Sequence, residues 1–241
     1  MKKQPDTKGA TSAVTPTPPL PTEALGIDGG AVPVGGNFTA YDVFEKCIER
    51  ASNLVKIHEA AHGKRAKPEK YLADAHRAAV VLAISALDAF VRTFAMAKIK
   101  DRLVNPKSPL PTPLIAQIKK FMKDDDLLDA ARKYDLHERV EKAFANDFER
   151  RSFQGTRNIT ECLEMAGYVD VFHIVAKKSQ LNEESLRDNL DRFTSRRHVI
   201  AHRGDYDLSQ LPPSENVITK NDAEECIKLV TKIARTINSL G

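Results

Sequence analysis

Along this chain the pattern of apolar and polar positions divides in two. Residues 1–36 hold no period; "TPTPPLPTEALGIDGGAVPVGG" is built from Pro, Thr, Gly and Ala. Such a stretch cannot bury enough apolar surface to offset its chain entropy, so a disordered tail is expected there. Residues 37–241 read as one helical domain, with apolar residues recurring at steps of three and four. In "TAYDVFEKCIERASNLVKIHEAAH" the positions Phe44, Cys47, Ile48, Ala51, Leu54 and Val55 make one stripe behind a Thr39 cap. "GKRAKPEK" ends that helix. A second helix, Tyr71 to Arg102, is apolar around most of its middle and should be the most buried one.

The proline-rich "VNPKSPLPTP" then forms a loop. Shorter helices are expected near Pro113–Lys123, Asp126–Lys133, Leu136–Arg150, Ile159–Met165 and Val169–Lys178. A long helix follows with Asn182 as N-cap, Glu183 and Glu184 complementing its dipole, and Gly204 ending it in a left-handed conformation. "ITKNDAEECIKLVTKIARTINSL" supplies a last amphipathic helix. No alternating strand pattern or internal repeat appears. The expected fold class is all-α, a helical bundle around the second helix.

Composition changes this picture little. The 241 residues are 41% hydrophobic and 29% charged, which suits a globular domain, and the net charge of +4 allows a nucleic-acid partner without requiring one. Cys47, Cys162 and Cys226 are scattered and odd in number, which argues against a zinc ribbon or a disulfide framework. The N-terminus lacks the apolar core of a secretory signal. "AAVVLAISALDAFV" is shorter than a bilayer span and contains Asp88, so a cytoplasmic protein without membrane association is expected.

The chemistry concentrates in "TSRRHVIAHRGDYD", Thr194 to Asp207. On a helical wheel advancing about 100° per residue from Leu186, Leu190, Phe193, Ile200 and Ala201 fall in one arc. Arg197 falls in the middle of it. A guanidinium there must be paired, solvated in a cleft or turned to a second subunit. Asp88 is the matching anomaly of the central helix, and an Asp88–Arg197 approach is expected, whether structural or functional. His198 and His202, four apart, share another face near the helix C-terminus, where carbonyls favour an imidazolium. Three readings compete: helix-dipole complementation, a metal pair completed by Asp205 or His173, and metal-free acid–base chemistry on a phosphodiester.

"RHVIAH", Arg197 to His202, resembles the R-x4-6-H signature of HEPN domains, with His198 as the polar residue after the arginine. The similarity extends through "LRDNLDRFTSRRHVIAHRG", the central "AHRAAVVLAISALDAFVRTFA" and the closing helix, and is nearest to the RiboL-PSP type. The resemblance implies a metal-independent endoribonuclease with no cofactor, acting on RNA as a homodimer that brings two signature segments into one cleft. It implies Arg197 on the scissile phosphate, His202 as general acid or base, and His198 in support. Arg196 is an alternative arginine at a spacing that also fits. A toxin or defence role, with an antitoxin or defence partner protein, is implied as well; the alternative is a silent module that binds RNA or nucleotide or regulates a partner. In some toxin members a modifiable tyrosine stands two residues after the histidine; here that place is Gly204, and Tyr206 is the nearest tyrosine.

Other basic clusters, Lys64, Arg65 and Lys67 in one segment and Arg150, Arg151 and Arg157 in another, read first as solvated loop surface and second, together with Arg203, as candidates for RNA contact. Phe153 among them is a candidate for stacking on a base. The acids Asp124 to Asp126 are expected to start a helix rather than hold a metal.

Overall fold

The computed structural model describes residues 38–62 and 72–241. The expected tail, residues 1–36, and the cluster of Lys64, Arg65 and Lys67 lie outside the described residues. Among the described residues there are nine helices: α1 (Ala40–His62), α2 (Leu72–Val104), α3 (Thr112–Phe121), α4 (Asp124–Lys133), α5 (Leu136–Arg150), α6 (Thr156–Met165), α7 (Val171–Ser179), α8 (Glu183–Arg203) and α9 (Lys220–Asn238). A two-residue antiparallel ladder pairs β1 (Tyr206–Asp207) with β2 (Ser214–Glu215).

The cap residues behave as their chemistry dictates. The Asp42 N–H donates to Thr39 Oγ1 at 3.2 Å, while Asp42 Oδ2 accepts from the Thr39 N–H at 2.6 Å, a reciprocal capping box that starts α1. Asn182 Oδ1 accepts from the Ser185 N–H at 2.9 Å at the head of α8. Asp124 to Asp126 fill the first turn of α4, as helix-starting acids should.

α2 is the axis of the bundle, packing against α1, α5, α6, α8 and α9. By length and composition alone Ala73–Val104 could cross a bilayer, but 56% of its most apolar window is buried inside the fold. Its apolar circumference is explained by neighbours on several sides. Ala79, Val80, Ala83, Ile84, Leu87, Phe90 and Val91 are sealed in the core. Aromatic rings pack together at two places in the core, with Phe44 and Phe90 at 5.6 Å and Phe148 and Phe153 at 4.8 Å between ring centres.

Some boundaries move for reasons the local pattern does not carry. α6 begins at Thr156 rather than Ile159 because Asp191, on α8, accepts from both the Thr156 N–H at 2.8 Å and its hydroxyl at 2.6 Å. A distant side chain thus caps this helix. α7 begins at Val171 because Asp170 is left-handed at φ 52°.

Candidate functional site at the tip of helix α8

α8 ends as its sequence suggests. Gly204 takes φ 60°, and its N–H donates to the Val199 carbonyl. Asp205 then also turns left-handed, at φ 66°, and its N–H reaches the same carbonyl at 3.3 Å. Two such residues in succession swing the Asp205 side chain back under the helix, where it is fully buried.

There it meets two arginines. Arg77 Nε, on α2, and Arg196 Nη2, on α8, each donate to Asp205 Oδ2 at 2.8 Å. Asn216 fixes the other end, its backbone N–H at 2.8 Å and side-chain amide at 2.9 Å both donating to the Asp205 carbonyl. Arg196 Nη2 also donates to the Val217 carbonyl at 3.0 Å. Burial opposes the Arg77 charge, but hydrogen bonds to Asp205 and Asp74 outweigh it and raise its pKa above the ordinary value. The β1–β2 turn, α2 and the tip of α8 are therefore locked together by one buried carboxylate.

The expected pairing of Asp88 with Arg197 is corrected by this arrangement. Asp88 accepts from the Phe153 N–H and Gln154 Nε2, each at 2.9 Å, and from Arg92 at 3.4 Å. Its work is to hold the loop between α5 and α6. A buried ion pair does join α2 to the α8 tip, but with the signs exchanged: the arginine, Arg77, is on α2 and the acid, Asp205, follows α8. Sequence reasoning singled out Asp205 only as a metal ligand and passed over Arg77 and Asn216. The available signals were an arginine inside the apolar α2 and an acid directly after a helix-ending glycine.

The two candidate arginines now separate. Arg196 is engaged by Asp205 and two carbonyls. Arg197 is half-buried and makes no hydrogen bond or ion pair among the described residues. Of the arc predicted around it, Leu186, Leu190 and Phe193 are buried, Ile200 packs partly against the core and Ala201 is exposed. The stripe thus runs out into solvent over the last turns, and Arg197 sits where it does so. His198 and His202 are both exposed, their rings 4.4 Å apart at 45°. The tip therefore offers an unengaged guanidinium and two adjoining imidazoles on a helix end that is rigidly tethered.

The other candidates are dispersed. Arg203, beside the imidazoles, and Arg150, at the end of α5, are exposed. Arg151 is held by Asp147 and Glu161, each at 3.3 Å. Phe153 is fully buried against Phe148, so the stacking expected of it is corrected: no base can reach the ring. Neither proposed third metal ligand serves the imidazoles. The Asp205 carboxylate is consumed by arginines, and His173 faces Glu183 at 3.2 Å, at the opposite end of α8. Among the described residues no group of three His, Cys, Asp or Glu is placed to hold a metal. Cys162 and Cys226 are buried, and desolvation pushes both thiols up to about 12, which makes them inert core residues.

An all-α bundle that presents an arginine and a histidine pair at the end of a late helix has the character of a HEPN domain. The family model of RiboL-PSP-HEPN matches residues 45–240, and the chain belongs to that family. No curated protein and no solved structure gives a match.

Proposed function

We propose that this protein is a metal-independent endoribonuclease in which Arg197 and His202 act on one phosphodiester. Membership in the family supports ribonuclease or nucleotide-related chemistry in general. The finer reading rests on one observation: of two adjacent arginines, Arg196 is tied through Nη2 to Asp205 and two carbonyls, while Arg197 makes no hydrogen bond or ion pair among the described residues, on the helix end that carries both imidazoles.

In this reading the guanidinium fork of Arg197 holds the non-bridging oxygens and stabilises their charge as the pentacoordinate state forms. One imidazole removes the proton from the ribose 2′-hydroxyl, whose oxygen attacks phosphorus. The P–O5′ bond breaks, and a second imidazole gives its proton to the departing oxygen. The products are a 2′,3′-cyclic phosphate and a 5′-hydroxyl, with no water consumed. His202 takes both roles when two copies of the chain bring their α8 tips together, since two-fold symmetry supplies the same residue twice. His198, its ring tilted against that of His202, orients it, and Arg203 adds charge for the strand. A cytoplasmic toxin or defence effector is the setting such chemistry suits.

The nucleophile is the point to test. RNA carrying a single 2′-O-methyl group at the cut site should be left intact there while neighbouring unmodified sites are cut. Cutting at the methylated position would mean that water attacks, and the reading would fail.

A further inference from the structure

Beside the imidazoles lies a cleft that the reading above leaves unused. It has a volume of about 370 Å³ and is formed by α8, the head of α9 and the segment leading into α9. That size is at the low end of roughly 300–1,000 Å³ for small-molecule sites. Val80, Phe193, Val199, Val217 and Ile218 give it apolar walls, with Phe193 and Ile218 buried and Val217 open to solvent. Its polar groups are Arg192, Ser195, Arg196, Asp222 and Asn216, whose side-chain amide is spent on the Asp205 carbonyl.

Charge decides which ligand fits. Arg196 is already neutralised by the buried Asp205. Arg192 lies 3.9 Å from Asp222 Oδ1 and 3.5 Å from Glu225. The cleft thus holds no surplus cation for a phosphate, in contrast to Arg197. It does hold a donor next to an acceptor. Asp222 Oδ2 takes both Thr219 hydrogen bonds, at 2.8 and 2.7 Å, which leaves Oδ1 to Arg192 and to any ligand. Apolar walls with an adjoining donor and acceptor at the rim suit a flat neutral heterocycle whose edge carries the complementary pair. Position points the same way. Ser195 lines the cleft three residues before His198, and Val199 three before His202, and such neighbours on a helix are about 5–6 Å apart.

We infer that this cleft is a nucleobase-binding subsite, which seats the base next to the phosphodiester being cut. The inference rests on the nuclease reading for the identity of its ligand. Its test does not depend on cleavage. Adenosine and cytidine 3′-monophosphates are titrated calorimetrically into the wild-type chain and Ser195→Trp, with ribose 5-phosphate as the base-free probe. Ser195 is exposed, so a tryptophan there fills the cleft without entering the core. Both nucleotides should bind the wild type, while their binding to Ser195→Trp, and that of ribose 5-phosphate to the wild type, should be weaker by about tenfold or more, as expected when base contacts are lost. Equal affinity for ribose 5-phosphate, or nucleotide binding unchanged by Ser195→Trp, would overturn the inference. Should nucleotides bind in this pattern while RNA is never cut, the nuclease reading fails and the subsite stands.

Discussion

Two neighbouring arginines with different duties define the residue scale. Arg196 and Arg197 are equivalent to a spacing rule, and only the position of Asp205 tells them apart. Removing one partner of a buried pair leaves the other charge without compensation, which costs about 3–5 kcal/mol. Asp205→Ala removes the buried acceptor that Arg77 and Arg196 share and leaves Arg77, whose side chain is only 10% exposed, to Asp74 and Glu215, so it should lower stability by up to about that amount. Arg197→Ala breaks no ion pair and should stay within about 0.5–1 kcal/mol of wild type, in the range of ordinary surface changes. Arg196→Ala should fall between, because Asp205 keeps Arg77. Denaturant unfolding of the three variants checks the order. A large loss in Arg197→Ala with a small one in Asp205→Ala would show that the structural arginine had been misassigned.

At the scale of elements, the site depends on helix ends that are fixed by local chemistry. α9 begins with a capping box in which Thr219 and Asp222 satisfy each other, and it forms one side of the cleft. Burial opposes the Asp222 charge, but the Thr219 hydrogen bonds outweigh it and hold the carboxyl below its ordinary value. A depressed folded pKa means that the unfolded chain binds the proton more readily. The stability this gives is present above the ordinary carboxylate value of 3.8 and fades as pH falls through the folded value. Asp222→Ala should cost about 0.5–1.5 kcal/mol near neutral pH, and the difference from wild type should shrink below about pH 3. A difference that stays constant from pH 7 down to about pH 2 would show that the carboxylate charge plays no part. The helix caps were readable in the sequence because Thr39, Asn182 and Gly204 act on backbone within a turn of themselves. The start of α6 was not, because its cap, Asp191, comes from another helix. The same distinction explains Asp88: its place in an apolar run was visible, but its partners, Phe153 and Gln154, are set by a loop that only the tertiary fold brings near.

For the whole molecule, periodicity was enough to specify an all-α bundle around α2, since a helix apolar on most sides must be enclosed by others. The arginine–histidine signature placed the candidate chemistry on the α8 tip, and the fold adds the reason it can stay there. A tip bearing unpaired cationic groups would otherwise fray; here Asp205, Arg77 and Asn216 tie it to the central helix and to the β1–β2 turn. That tether leaves His198 and His202 exposed beside the half-buried Arg197, the arrangement on which the proposed chemistry relies. The cleavage of end-labelled RNA in excess EDTA, by wild type, Arg197→Ala and His202→Ala at equal folded concentration, tests this account most directly. Wild type should cut and leave a 2′,3′-cyclic phosphate, and His202→Ala should be slower by about 10²–10⁴, the usual contribution of a general acid or base, with Arg197→Ala also severely slowed. Cleavage abolished by EDTA, or undiminished in both variants, would contradict it.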